Sequence, residues 1–254
     1  MAELSLSLAD RVALVTGGSR GIGRATALLL ARLGADVGIT YHTRKPDADA
    51  VTRDIRGMGR KAFAGGGDLS DPEVVERVFR EFRACFGELH LFVANAGVWP
   101  PAAVPLRDME STRWKSVMAA NLDAIFLTTR AALRLMGPGG RVVLVGSTAG
   151  QRGEAYHADY AASKGALIAL TKSLAVECAP GIAVNCVAPG WVDTEMAAEP
   201  YAAGGRARIE QGIPLRRVAS ANEIAGPIAF LLSDLARHIT GEVLNVNGGS
   251  VLCG

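Results

Sequence analysis

The sequence predicts an α/β protein: a single Rossmann-type doubly wound domain, about seven parallel strands with helices on both faces. Three observations carry this. Short apolar runs alternate from end to end with longer stretches of helical spacing. Those runs are apolar at successive positions, as in strands buried on both faces. The first run leads straight into a glycine cluster that opens a helix, the place where such sheets hold a phosphate. No internal repeat, low-complexity tract or linker divides the 254 residues, so one domain is expected over 1–254.

The elements follow in order. A strand at 12–15 precedes a helix at 22–33, and a strand at 37–41 precedes a weaker one at 61–64. A helix at 72–86 leads to a strand at 91–94, and a helix at 112–136 leads to a strand at 142–145. A helix at 156–178 leads to a strand at 183–187, and a helix at 222–232 leads to the last strand at 243–246. Residues 191–217 break the rhythm with Gly204-Gly205, two prolines and mixed polarity. An insertion after a strand lies over the ligand crevice of such a fold, so this segment is expected to be a substrate lid.

Composition excludes more than it selects. The net charge of +2 makes no electrostatic case for nucleic acid or membrane. Arg206, Arg208, Arg216 and Arg217 form the densest basic stretch, but apolar residues interleave them, as on a solvated helix face. Cys85, Cys178, Cys186 and Cys253 form no C-x-x-C, and the histidines are scattered singly. No metal site is expected, and a reduced, cytoplasmic chain is the simplest reading. No apolar run has the length of a membrane span.

Chemistry concentrates in a few places. Tyr160 and Lys164 lie four residues apart on an expected helix, and so on one face of it. A tyrosine hydroxyl, with its ordinary pKa of ~10, is a poor acid or base at neutral pH. A nearby cation stabilises the phenolate; bringing the pKa to ~7 takes about 4 kcal/mol. Ser147, at the end of an apolar run, can hold a carbonyl oxygen beside that tyrosine. Such Tyr–Lys pairs are common on solvated helices, so this one takes its meaning from the rest of the chain.

The first strand runs into Thr16-Gly-Gly-Ser-Arg-Gly-Ile-Gly23, where Gly17, Gly21 and Gly23 let the backbone approach a pyrophosphate. The second strand ends at Thr40-Tyr-His-Thr-Arg-Lys45, with no acid for a ribose 2′-hydroxyl. Arg20, Arg44 and Lys45 can instead meet a 2′-phosphate, so NADP(H) is preferred over NAD(H). The alternative for Arg44 and Lys45 is solvation of a surface loop.

With these motifs in place, the chain resembles the short-chain dehydrogenase/reductases over nearly its whole length. Within them it looks most like the 3-oxoacyl-acyl-carrier-protein reductases and similar NADPH-dependent ketoreductases. The resemblance rests on the glycine loop with Ser19, Arg20 and Ile22, on Asn95-Ala96-Gly97, and on Asn121, Ser147, Tyr160 and Lys164 in the order of the family's tetrad. It also rests on Pro189-Gly190 with Val192 and Thr194 following, and on Asp68. It implies that Tyr160 transfers a proton, Lys164 lowers its pKa and binds the nicotinamide ribose, Ser147 hydrogen-bonds the reacting oxygen, and Asn121 holds a water leading to Lys164. It further implies adenosine contacts at Tyr41, His42, Arg44, Asp68 and Leu69, and nicotinamide contacts at Pro189, Gly190, Val192 and Thr194.

The implied substrate is a small carbonyl or alcohol. Carrier-protein reductases place cations in the loops that here read Met136-Gly-Pro-Gly-Gly140 and Cys178-Ala-Pro-Gly181, so an acyl carrier protein is a weaker expectation. Trp99, His157 and Trp191 flank the site and serve either as its substrate wall or as core. Residues 122–136 and 161–179 are apolar on several faces, which fits either burial within the chain or the family's homotetramer, with a second interface from Gly248-Gly249 onward. The rivals are an NAD-linked alcohol, sugar or polyol dehydrogenase, and a cofactor-binding protein without catalysis.

Overall fold

The first half of the chain alternates strand and helix, in a computed structural model that describes residues 6–252. It runs β1 (Val12–Val15), α1 (Gly21–Arg32), β2 (Asp36–Tyr41), α2 (Lys45–Gly57), β3 (Ala62–Gly66), α3 (Pro72–Phe86) and β4 (Leu89–Ala94). Then come α4 (Ser111–Met118), α5 (Ala124–Leu135), β5 (Met136–Val145), α6 (Thr148–Arg152), α7 (Ala158–Glu177) and β6 (Ile182–Pro189). The chain continues with β7 (Val192–Asp193), α8 (Ala198–Tyr201), α9 (Gly205–Gln211), β8 (Ala219–Ser220), α10 (Ala221–Leu232) and β9 (Val243–Val246).

Seven strands pair in parallel in the order β3-β2-β1-β4-β5-β6-β9. Apolar residues at every position of β1 let both faces be covered. On one face Leu30, Val51, Ile55, Ile224 and Ile228 from α1, α2 and α10 pack on the sheet. On the other, Val75, Phe79 and Phe82 of α3, Ile125 of α5 and Leu167 of α7 do the same. The winding reverses between β1 and β4, so their carboxyl ends splay apart and open a crevice there.

Helix starts follow capping chemistry. Asp71 accepts from Glu73 N at 2.8 Å at the head of α3, with Pro72 at its first position. Ser220 and Glu223 form a reciprocal capping box on α10.

Besides the short α6 and β8, three segments differ from expectation. α2 lies outside the expected helices because its buried stripe, Ala48, Val51, Thr52 and Ile55, is narrow and set among charges. The single helix expected over 112–136 is broken by a π-helical turn at Ala119–Asp123, and its last residue begins β5. Residues 191–217, expected as irregular, hold β7, a 3-10 turn at Glu195–Ala197, α8 and α9, and β7 pairs with β8. Cys253 and the last residue of the expected second interface lie outside the described residues.

Candidate active site

The glycine loop is bound to the neighbouring strand tip. Thr16 Oγ1 accepts from Asn95 N and Ala96 N at 2.9 and 3.0 Å, and Asn95 Nδ2 donates to Thr16 O at 2.9 Å. Gly17 has φ +65°, and a Cβ there would lie 3.0 Å from Ala96 Cα. A Cβ on Gly23 would collide with the Gly17 carbonyl, so the loop folds back on α1 only without a side chain. The head of α1 has no side-chain cap and no acid in its first turn. Its unpartnered N–H groups and positive dipole end suit a pyrophosphate.

A cleft of about 390 Å³ runs from this loop across the strand ends. Tyr41, His42, Arg44, Asp68 and Leu69 line one end; Ser147, Tyr160, Lys164, Pro189, Gly190, Val192 and Thr194 line the other. Asn95, Ala96 and Gly97 form its floor beside Gly17, Ser19, Arg20, Gly21 and Ile22. Asp68 accepts from Ser70 N and Oγ at 2.9 and 2.8 Å, which holds its carboxyl below the usual range. The cradle, the bare helix end and the two arginines fit a phosphorylated dinucleotide. Lys45, expected near a 2′-phosphate, instead opens α2 and pairs with Asp49 at 2.7 Å.

At the other end, Ser147 caps α6 by accepting from Ala149 N at 3.1 Å. Tyr160 and Lys164 stand one turn apart on α7, with Lys164 Nζ 5.9 Å from the phenol ring centre. Lys164 is buried and donates to Val145 O at 2.8 Å, which anchors it under β5. Burial pulls its pKa down to about 8. Burial pushes the Tyr160 hydroxyl up to about 12, and the Ser147 hydroxyl beside it offsets this only in part. The lowering expected from Lys164 does not show in this hydroxyl, where loss of solvent is the largest influence. Tyr160 is held as a neutral acid.

Asn121 sits in the π-helical turn, fully buried. Its Oδ1 accepts from Val98 N at 2.7 Å, and its Nδ2 donates to Val98 O at 2.9 Å and Ser163 Oγ at 3.1 Å. Ser163 Oγ donates in turn to Tyr160 O at 2.7 Å. The extra residue of such a turn swings a side chain out of the helical register, and π turns recur at functional sites.

This arrangement has close parallels. A family described as enoyl-(acyl carrier protein) reductase matches residues 17–250. The chain is 40% identical over 247 residues to 3-oxoacyl-acyl-carrier-protein reductase FabG of Escherichia coli (strain K12), covering 96% of this chain and 98% of the relative. This chain belongs to the short-chain dehydrogenase/reductase family. Among its other relatives is cis-4-hydroxycyclohexanecarboxylate dehydrogenase of Sinomonas cyclohexanicum, 40% identical over 246 residues, 96% of this chain and 97% of that one. A short-chain dehydrogenase of Burkholderia cenocepacia J2315, solved in complex with NADP, superposes with a TM-score of 0.90 at 38% identity, covering 96% and 98% of the two chains. The chain is an oxidoreductase that interconverts a carbonyl and an alcohol by hydride transfer.

In this short-chain dehydrogenase/reductase the cleft also has aromatic walls. Trp99 and Trp191 line the cleft, 6.1 Å apart and edge to face. His157 does not line it; it stacks behind Trp99 at 4.6 Å, buried as the residue before α7. Glu154 lines the cleft and is missing from the expected site. It accepts from Trp99 Nε1 at 3.2 Å, and burial pushes its carboxyl up. Glu195, Met196 and Ala197 also line the cleft, from the 3-10 turn after β7. No local motif marks any of these; they reach the cleft through the loops before α7 and after β7.

Proposed function

We propose that this chain is an NADP(H)-preferring ketoreductase, with Asn121, Ser147, Tyr160 and Lys164 as its catalytic residues. The observation that carries the reading is the pairing of Tyr160 and Ser147 at one end of the cleft. Both can donate to one carbonyl oxygen, where charge develops as the carbonyl is reduced. When bound, the nicotinamide supplies or takes up the hydride. Tyr160 gives its proton to the oxygen in reduction and receives it back in oxidation. Ser147 orients that oxygen. The Lys164 cation, 5.9 Å from the phenol ring centre, stabilises the phenolate once the proton has left. Asn121 fixes Val98 and Ser163, and through them the wall beside Tyr160.

Arg20 and Arg44, with no acid in Tyr41-His-Thr-Arg44 at the end of β2, support NADP(H) over NAD(H). A small free ketone is favoured over a carrier-bound one. Residues 136–140, which open β5, and residues 178–181 carry no cation, and Arg141 is paired with Asp234 at 3.2 Å. Residues 191–217 act as the lid, with Trp191 and Trp99 as substrate wall. Phe126 on α5 and Val176 on α7 are large, apolar and exposed, which supports a homotetramer built through these helices. No helix among the described residues is long and apolar enough to cross a membrane, and Cys85, Cys178 and Cys186 are free thiols, which suits a cytoplasmic enzyme.

Steady-state rates on a panel of free and carrier-bound ketones, each with NADPH and NADH, test this reading. Turnover of free ketones with NADPH several-fold faster than with NADH is expected. A clear preference for NADH would sink the cofactor assignment.

A further inference from the structure

The two arginines that the proposed function assigns to the 2′-phosphate are already engaged. Arg20 Nη1 lies 2.9 Å from Glu195 Oε2, and Arg44 Nη2 lies 2.7 Å from the same oxygen. Arg44 Nη1 reaches Glu195 Oε1 at 3.5 Å, so both carboxylate oxygens are in use. The three side chains come from separate places: the residue before α1, the residue before α2, and the start of the 3-10 turn after β7. Only the tertiary fold brings them together, and all three line the cleft. A guanidinium fork receives a carboxylate and a phosphate with the same two-point geometry.

We infer that Glu195 is a specificity-determining residue: it occupies the arginine fork as an internal substitute for the cofactor's 2′-phosphate. The inference rests on the reading of Arg20 and Arg44 as phosphate ligands. An incoming 2′-phosphate must displace the carboxylate, since two anions cannot share the fork without repulsion. Glu195 follows Thr194 and precedes Met196, both of which line the cleft, so this exchange frees the turn that opens the lid. An unphosphorylated dinucleotide leaves the Arg20–Glu195–Arg44 bridge closed. Glu195 therefore lowers affinity for the phosphorylated ligand alone. Asp47, 3.3 Å from Arg44 on α2, remains in place as its second partner.

The test is calorimetric titration of the full chain with adenosine 2′,5′-bisphosphate and adenosine 5′-monophosphate, which differ only in the 2′-phosphate. It is run on the unsubstituted protein, Glu195→Gln and Glu195→Ala. Each arginine–carboxylate pair is about half exposed, so a gain of about fivefold in bisphosphate affinity is expected in both variants, shrinking with added salt. Monophosphate affinity should stay within about twofold, because that ligand never meets the fork. Unchanged or weaker bisphosphate binding in both variants, in a protein that prefers the bisphosphate, overturns the role of Glu195 and leaves the cofactor reading standing. Equal affinity for the two ligands in all three proteins overturns both.

Discussion

Replacing Asn121 by alanine should unsettle fold and site together, and the size of the effect follows from its contacts. The amide is fully buried and makes three hydrogen bonds, two of them to the backbone N–H and C=O of Val98. Val98 lies between Gly97 and Trp99 on the wall of the cleft and is 44% exposed, so water can replace part of what the amide supplies. Each hydrogen bond lost to groups that water can reach costs about 0.5–1.5 kcal/mol. Ser163 keeps its bond to the Tyr160 carbonyl at 2.7 Å, so its lost contact adds little. For the two bonds to Val98 the expected loss is about 1–3 kcal/mol, read as a lower urea midpoint at unchanged slope. Because the freed wall carries Trp99 and faces Tyr160, kcat/KM should fall by about tenfold or more in the folded variant. A loss under about 0.5 kcal/mol with full activity would refute the claim that this amide holds the wall.

Two further predictions follow from groups near Tyr160. Asp159 is fully buried and accepts from Arg113 Nε at 2.8 Å and from Tyr160 N at 2.9 Å. Arg113→Met should cost about 3–5 kcal/mol in denaturant unfolding by stranding that carboxylate, and adding Asp159→Leu should return part of it; a neutral Arg113→Met disproves the pair's role. Burial pulls the Lys164 pKa down to about 8 and pushes that of Tyr160 up to about 12, so the lysine is expected to lose its charge first as pH rises. The kcat/KM for ketone reduction should therefore fall about tenfold per pH unit above that lower value, and a profile flat to pH 10 would show that the Lys164 charge is not needed.

The sheet was legible because its signal is local. Residues 12–15 and 243–246 form strands at their expected places, since a short apolar run between turns has few other ways to bury itself. The glycine loop was legible for the same reason: Gly17 and Gly23 mark backbone that no side chain could share. Tyr160 and Lys164 fall on one helix face because their spacing dictates it. The π-helical turn at Asn121 was not legible, because helical periodicity continues through it and its partners Val98 and Ser163 are distant in sequence. Burial pushes up the pKa of the Tyr160 hydroxyl, and burial is a property of the folded cleft. Glu154 and Glu195 reach the cleft by tertiary approach, Glu195 to an arginine 175 residues away, and no spacing encodes that.

The central claim is that the Tyr160 hydroxyl moves the proton that accompanies hydride transfer. Tyr160→Phe removes that hydroxyl alone and keeps the ring that packs beside Ser147 and Lys164. Turnover of a ketone with NADPH should fall by about 10²–10⁴-fold, while NADPH affinity measured by direct titration stays within about twofold. Turnover near that of the unsubstituted protein would contradict the account.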